Sequence, residues 1–302
     1  MVIEPYRSEH LPELQMLINQ HVSAVLPGWA LPAAYIEQHL ARHPQQIIID
    51  PWVAERKTLV VTQRGQARAV AHLLRYADDD EVGVDYRGAG DIAWLFATPQ
   101  NQDAASALLA AAQAQMQVWK APRVSAWDSG LPSGPIRGIP DVWAHLADVF
   151  TRGGFSPNPE RNEALFGGWL DAIPLPGDAP VDGLTIRRSV GNIWGTRFTA
   201  WRGDEVLGWC ECVGDLSEGG ALPSLRGWGE LAELYVEEPW RNRGLGAWLV
   251  RHAVEWLRLA GSTRVVLTVA ADDEAAGAGR FYRRFGWDVF TRLQDGWGLS
   301  GK

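Results

Sequence analysis

The fold of this chain is decided by the stretch Val236-Glu237-Glu238-Pro239-Trp240-Arg241-Asn242-Arg243-Gly244-Leu245-Gly246-Ala247. It predicts a strand end, a basic turn with two glycines and the start of an amphipathic helix. The two glycines carry no side chain that would block a close backbone approach, so consecutive N–H groups can point at one anion. The helix start adds unpaired N–H groups and the positive end of its dipole. Because two arginines add formal charge, the stretch predicts a pyrophosphate site.

The spacing Arg-x-x-Gly-x-Gly of residues 241–246 resembles the cofactor loop of the GNAT superfamily, the acetyl-CoA-dependent N-acetyltransferases. The motifs of P-loop and Rossmann nucleotide sites are absent. Taken alone, the spacing also fits an ordinary strand-to-helix turn. The resemblance implies acetyl-CoA as co-substrate and no metal. It assigns cofactor binding to these residues: Leu234, Tyr235, Val236, Arg241, Asn242, Arg243, Gly244, Leu245, Gly246, Ala247 and Phe281.

An internal repeat gives this loop a structural context. Three segments of the first half match three of the second half in the same order, which indicates two copies of one domain. The matched pairs are Thr58–Gly65 with Thr196–Gly203, Gly90–Pro99 with Gly229–Pro239, and Phe150–Phe155 with Tyr282–Trp287. Each copy predicts an antiparallel hairpin followed by a parallel strand–helix–strand unit. The predicted fold class is therefore α/β, with two tandem GNAT-like domains that each contain a mixed sheet flanked by helices.

The first copy lacks the residues that the predicted chemistry needs. The run Gln100-Asn101-Gln102-Asp103 replaces the glycine turn, and Phe150 stands where the second copy has Tyr282. We therefore predict a degenerate domain over 1–170, a proline-rich linker over 171–183 and a catalytic domain over 184–302.

The second copy also has no room for the early helices that the first copy predicts near Leu11–His21 and Pro32–His43. In GNAT proteins such helices usually wall the acceptor site. The first domain, or another chain, is expected to complete that wall.

The reaction implied by the resemblance requires a base and an acid. An amine attacks a thioester only after its ammonium loses a proton, and a carboxylate can accept that proton. Glu230 occupies a position that resembles the catalytic glutamate of several GNAT enzymes, with Glu233, on the opposite strand face by simple alternation, as the reserve. A bulge in this strand would exchange the two faces. Tyr282 matches the GNAT tyrosine that protonates the departing thiolate, whereas Ala275 replaces a common asparagine seven residues earlier.

Composition narrows the remaining classes of function. The chain is acidic, with a formal net charge of −8, and shows no basic stripe, which argues against a nucleic-acid partner. No long apolar run predicts a membrane span, and the start does not resemble a signal peptide, so we expect a cytoplasmic protein. Cys210 and Cys212 are expected to be reduced structural residues.

Three hypotheses follow for the function. The first is an N-acetyltransferase that acts on a primary amine of a small molecule or peptide, as a monomer or homodimer. The second is a non-catalytic acyl-CoA binding or sensing protein. The third is an interaction protein that uses the degenerate copy for docking. The sequence leaves open the amine acceptor, which includes aminoglycosides, polyamines, amino-acid derivatives and protein N-termini.

Overall fold

The computed structural model describes residues 1–42, 46–127, 136–192 and 195–299. The chain divides into two compact units. The first unit contains Met1–Ala164 and the segment that begins at Thr291, and the second contains Leu165–Phe290. Each unit has a mixed sheet flanked by helices, which confirms the predicted fold class.

The first unit has seven strands in the order β1-β2-β3-β4-β5-β15-β7. The strands are β1 (Val2–Pro5), β2 (Val53–Gln63), β3 (Gln66–Tyr76), β4 (Gly90–Ala97), β5 (Val124–Ala126), β7 (Phe155–Ser156) and β15 (Trp297–Leu299). A two-residue strand, β6 (Ile139–Pro140), pairs with Leu293 and Gln294. The helices are α1 (Leu11–Val25), α2 (Ala33–Ala41), α3 (Gln102–Val118) and α4 (Ala144–Arg152). Both predicted early helices are present, although His43, the predicted end of the second, lies outside the described residues.

The second unit repeats this arrangement with the strand order β14-β8-β13-β12-β11-β10-β9. The strands are β8 (Glu163–Trp169), β9 (Leu184–Val190), β10 (Thr196–Arg202), β11 (Glu205–Val213), β12 (Trp228–Val236), β13 (Arg264–Ala270) and β14 (Asp288–Gln294). The helices are α5 (Leu245–Leu259) and two short ones, α6 (Ala271–Asp273) and α7 (Gly279–Arg283). Only residues 191–195 join β9 to β10, which leaves no length for counterparts of α1 and α2.

Each sheet includes one strand that comes from the other predicted copy of the sequence repeat. Strand β15, from the end of the chain, lies between β5 and β7 of the first sheet, and β8, from the middle, lies between β13 and β14 of the second. Both strands carry fully buried apolar side chains, such as Phe166 and Trp297. Burial of these side chains stabilises both strands in these positions, because each side chain would otherwise expose a large apolar area.

The observed division therefore differs from the predicted domains 1–170, 171–183 and 184–302. The proline-rich segment, predicted as a linker, is attached to the second unit. Arg258 donates hydrogen bonds to the carbonyl oxygens of Leu170 and Ile173, and the Trp248 indole donates to the carbonyl oxygen of Gly177 at 3.1 Å. These contacts tie the segment to helix α5.

A β-bulge occurs at the same place in both sheets. In the first unit His72 pairs with Trp94 and Leu73 with Ile92, so Ala93 is the extra residue. In the second, Glu211 pairs with Glu233 and Cys212 with Leu231, so Ala232 is the extra residue. The repeat is thus preserved in backbone geometry. His72 and Glu211 lie at the same place relative to the two bulges, and they pair with Thr58 and Arg197. Thr58 therefore corresponds to Arg197 in the structure. The predicted alignment, which matched Thr58 with Thr196, is off by one residue in these hairpins.

The helical segment that follows β13 is interrupted. A wide turn over Glu274–Ala278 separates α6 from α7, and inside it Gly277 has a φ of 124°. This backbone conformation is accessible to glycine and strained for other residues, so the glycine breaks the helix.

We predict that the first unit loses stability as the pH falls below about 6.5, the ordinary histidine value. Burial lowers the pKa of His72 to about 3 and that of His21 to about 4. The unfolded chain binds these protons more readily than the folded chain does. The stabilisation from each neutral histidine is therefore fully present above the pKa of the unfolded state, and it is lost as the pH falls towards the pKa of the folded state. Between pH 7.5 and pH 5 the free energy of unfolding should drop by about 2 kcal/mol for each histidine.

Urea unfolding at the two pH values measures this drop. His72→Asn cannot titrate but keeps a partner for Thr58, whose hydroxyl lies 2.8 Å from His72 Nδ1. It should remove about 2 kcal/mol of the drop, the share of His72 alone. An unchanged pH dependence in this variant would contradict the assignment.

Candidate functional site

The parallel strands β12 and β13 diverge in the middle of the second sheet. Their pairs end at Glu230 with Val266, although β12 continues to Val236 and β13 to Ala270. Beyond Glu230, the edge of β12 that faces β13 has no strand partner in the part of the chain that the structure describes. Backbone donors and acceptors are strong hydrogen-bonding groups that require partners. The divergence therefore opens a cleft lined by backbone that a ligand can pair with.

The basic loop lies directly after this edge. A single helical turn over Glu238–Trp240 leads into it, and Arg241 Nε donates to the carbonyl oxygen of Val236 at 2.9 Å. Gly244 caps helix α5 with a φ of 85°, which favours glycine. Residues 241–244 are exposed, and in the described parts of the chain neither Arg241 nor Arg243 forms an ion pair with a carboxylate. The loop thus presents two uncompensated cations at a helix start.

Gly246 tests whether this loop fits a pyrophosphate ligand. A Cβ placed there would lie 3.6 Å from Val236 Cγ2 and 3.6 Å from Phe281 Cζ, an ordinary van der Waals distance. The protein itself therefore tolerates a side chain at this position. A Cβ at Gly246 would occupy the space between the start of α5, the end of β12 and Phe281. The absence of a side chain is useful to a ligand that approaches the backbone, and the site fits the predicted co-substrate.

The remaining predicted cofactor residues lie around the same point. Leu234, Tyr235 and Val236 form the half-buried end of β12, and Leu245 and Ala247 lie in the first turn of α5. Tyr235 stacks on Trp209 with ring centres 4.5 Å apart, and its hydroxyl donates to Glu237 at 3.2 Å. That hydrogen bond is the main cause of a raised pKa of Tyr235. Asn242 has a φ of 59° in the exposed loop.

The bulge at Ala232 decides which way the two glutamates face. Glu230 pairs with Val213 and Glu233 with Glu211, and these partners are two residues apart on β11. Directly paired residues share a face, so Glu230 and Glu233 lie on the same face of the sheet. Simple alternation, which predicted opposite faces, is wrong here. The extra residue Ala232 reverses the faces to which the following side chains point. Glu230 is half-buried, whereas the Glu233 side chain is 45% exposed.

Glu211 belongs to this cluster and was not recognised in the sequence. Its side chain is almost fully buried on the same face, where it accepts hydrogen bonds from Arg197 Nε and, at 3.1 Å, from the backbone N–H of Asn192. Arg197 also reaches Glu233, with Nη2 3.4 Å from its carboxylate. One arginine therefore holds two carboxylates beside Glu230. The available signal was an arginine and a glutamate facing each other on neighbouring predicted strands.

Tyr282 lies on α7 and is buried. Its ring packs 6.0 Å from that of Phe166 and 6.1 Å from that of Trp287, centre to centre. Burial, with smaller contributions from Cys210 and Asp273, raises the pKa of Tyr282. Because Cys210 pairs with Leu234, the tyrosine lies near the strand that carries predicted cofactor residues. The phenol therefore keeps its proton over the physiological pH range.

The equivalent region of the first unit is filled by aromatic side chains. Strands β4 and β5 pair only as far as Ile92 with Ala126, and Phe96 lies beyond this point. The Phe96 ring centre lies 5.5 Å from that of Trp127 and 5.6 Å from that of Trp143, and all three side chains are buried. Trp143 precedes Phe150 by seven residues, as Ala275 precedes Tyr282. The first unit thus has a buried aromatic cluster in the region that corresponds to the candidate site of the second.

No helix in the described residues is long and apolar enough to cross a membrane. The described side chains also contain no group of three histidine, cysteine or acidic residues that could hold a metal ion. A shallow pocket of about 450 Å³ is lined by Trp169, Asp171, Ala172, Phe285 and Gly286, and includes none of the predicted site residues.

Comparison with known proteins supports this assignment of the fold. Residues 178–287 match the model of the acetyltransferase (GNAT) family. A tandem GNAT protein from the clavulanic acid biosynthesis pathway superposes with a TM-score of 0.61 at 14% identity, covering 100% of this chain and 99% of that one. A GCN5-related N-acetyltransferase from Sphaerobacter thermophilus gives a TM-score of 0.58 at 16% identity, over 98% of this chain and 93% of that one.

A further solved structure is larger than this chain. It contains a GCN5-related glucosamine N-acetyltransferase region of a fungal multi-domain β-N-acetylglucosaminidase, and it superposes with a TM-score of 0.63 at 16% identity. It covers 98% of this chain, which spans 38% of that protein's length. None of the curated proteins compared with the chain matches it. These comparisons confirm the predicted resemblance for the second unit and the tandem fold for the whole chain.

We predict that Arg197→Met destabilises the second unit by about 2–4 kcal/mol, because it leaves the buried Glu211 carboxylate without its cation. Chemical denaturation followed by tryptophan fluorescence measures the loss. Arg187→Met is the matched control, since Arg187 is exposed and stacks on Trp201 without a carboxylate partner among the described residues. The double variant Arg197→Met/Glu211→Met should recover most of the lost stability. If it is no more stable than Arg197→Met, the assigned pairing is incorrect.

Proposed function

We propose that the chain is an acetyl-CoA-dependent N-acetyltransferase with its active site in the second unit, where residues 178–287 match the model of the acetyltransferase (GNAT) family. The observation that carries the proposal is the divergence of β12 from β13 at Glu230, beside a basic loop at a helix start. The unpaired edge of β12 provides backbone partners for the pantetheine arm. The N–H groups of the helix start and the guanidinium groups of Arg241 and Arg243 bind the pyrophosphate.

The residues near the cleft fit the two proton transfers of the reaction. When bound, acetyl-CoA supplies an activated acetyl thioester. Glu230 accepts a proton from the ammonium of the acceptor, so that the amine nitrogen can bond to the acetyl carbon as the carbon–sulfur bond breaks. Tyr282 donates its phenolic proton to the departing sulfur, and the nitrogen releases its second proton as the amide forms, which restores the phenol. Glu233 is the weaker choice as base, because Arg197 already binds its carboxylate.

The acceptor in this proposal is a primary amine of a small molecule or peptide. The face of the sheet that carries Glu230 also carries Glu233, Trp209 and Tyr235. Carboxylates and aromatic rings are the groups that attract an ammonium before it is deprotonated. The first unit takes no co-substrate in this proposal, because its corresponding space is filled by Trp127 and Trp143.

We predict one acetyl-CoA site per chain in calorimetry, and weaker binding by Gly246→Ala. The substitution should stabilise the free protein by about 0.5–1 kcal/mol, since alanine is the better helix former and its Cβ meets no close contact. The same Cβ should lower acetyl-CoA affinity by at least about 10-fold, or 1.4 kcal/mol.

Gly298→Ala is the matched control, because a Cβ at Gly298, in the first unit, also meets nothing within 4 Å. The Gly298→Ala variant should bind acetyl-CoA with the same affinity as the unmodified protein. Two sites per chain would overturn the assignment of a single working site, and no binding at all would overturn the enzyme.

We predict that Glu230→Gln lowers kcat by about 10²–10⁴-fold while acetyl-CoA affinity is unchanged, because the variant loses a base and keeps its shape. Thiol release from acetyl-CoA, measured over a panel of polyamines, amino sugars, amino-acid amides and peptides, identifies the acceptor and gives the rates. Glu233→Gln should cost much less. Equal losses in both variants would contradict the choice of Glu230, and binding without turnover of any amine would favour an acyl-CoA sensing protein.

A further inference from the structure

Trp240 carries two arginines beside the basic loop. The residue ends the single turn that precedes Arg241. Arg243, from the loop, has its Cζ 5.2 Å from the centre of the Trp240 ring, and Arg202, from the end of β10, has its Cζ 5.3 Å from the same centre. The two Cζ atoms are therefore at most about 10.5 Å apart, close to the screening length of about 8 Å at physiological salt.

This arrangement is distinct from the other arginine–tryptophan contacts of the chain. Stacked pairs also occur at Trp201, Trp209 and Trp256, each with one arginine. Among the described residues, Trp240 is the only ring that holds two. Two like charges on one ring also repel each other, so an anion beside the guanidinium groups would relieve this repulsion.

The neighbouring carboxylates do not supply that anion. Glu205 lies opposite Arg202 in the hairpin and Glu238 lies in the turn before Trp240, and both are exposed. In the described parts of the chain, neither Arg202 nor Arg243 forms an ion pair within 4 Å. The protein as a whole is acidic, with a net charge of −8, so an uncompensated basic cluster is a local feature. It faces the same solvent as the loop.

The chemistry of the cluster fits a phosphate monoester. Such a group carries about 1.5 to 2 negative charges near neutral pH and three acceptor oxygens. Guanidinium groups match these oxygens with paired donors, and stacking on Trp240 restricts both side chains before binding, which lowers the entropic cost. Coenzyme A carries such a monoester on its ribose, in addition to the pyrophosphate that the helix start would bind.

We propose that Arg202, held on the Trp240 ring that also carries Arg243, binds the 3′-phosphate of coenzyme A and selects it against its 3′-dephospho form, while Arg243 binds the pyrophosphate. This inference rests on the proposed function, since it assigns a second anion of the same co-substrate. Arg202 comes from a hairpin more than thirty residues before the loop. The hairpin therefore takes part in co-substrate selection.

Calorimetry with acetyl-CoA and with 3′-dephospho-acetyl-CoA tests the proposal. The unmodified chain should bind acetyl-CoA at least about 10-fold more tightly than the dephospho form, or 1.4 kcal/mol. Arg202→Gln should abolish most of this preference by weakening acetyl-CoA alone, while the affinity for the dephospho form stays unchanged. Arg202→Lys, which keeps the charge and loses the planar donors, should show an intermediate preference.

Arg188→Gln is the matched control. It removes an exposed arginine that stacks on Trp256, at 4.3 Å and about three helical turns from the loop. The preference should survive in this variant. A preference that persists in Arg202→Gln, or equal affinities of the unmodified chain for both ligands, would overturn the inference and leave the proposed function intact. Failure of both ligands to bind would overturn the proposed function itself.

Discussion

The pairing of β12 with β13 stops at Glu230, and the rest of the candidate site depends on this one interruption. Had the ladder continued, the edge of β12 would be consumed by backbone hydrogen bonds and no ligand could pair with it. The bulge at Ala232 acts at the same place, because it puts two carboxylates on one face. The cleft and its glutamates are therefore products of irregular backbone in an otherwise regular sheet.

The two units show opposite uses of the same irregularity. Both sheets have a bulge at the matching alanine. In the first unit Phe96, Trp127 and Trp143 pack together beside the parallel strands, and their burial contributes to stability. In the second, the bulge puts Glu230 and Glu233 on one face beside the unpaired edge of β12. The same irregularity therefore accompanies an aromatic core in one unit and a group of carboxylates in the other.

Local sequence patterns predicted the strands, the basic loop and helix α5, because each depends on neighbours along the chain. They did not predict the break at Gly277, since a glycine inside a helical pattern is tolerated as often as it is disruptive. Simple alternation placed Glu230 and Glu233 on opposite faces, whereas the bulge considered as the alternative is present at Ala232 and puts both on one face. Glu211 was missed for a related reason: its partner Arg197 lies on another strand, and its burial is a property of the folded sheet.

The exchanged strands have a consequence for synthesis of the chain. The first sheet needs β15, which follows every strand of the second unit in the sequence, so the first unit cannot complete its ladder until the second unit has been synthesised. The edge of β5 that pairs with β15 stays uncovered until then. Domains that fold in order of emergence are the common case. The second unit, Leu165–Phe290, is continuous in the sequence and can fold first, whereas the first unit needs a segment from each side of it.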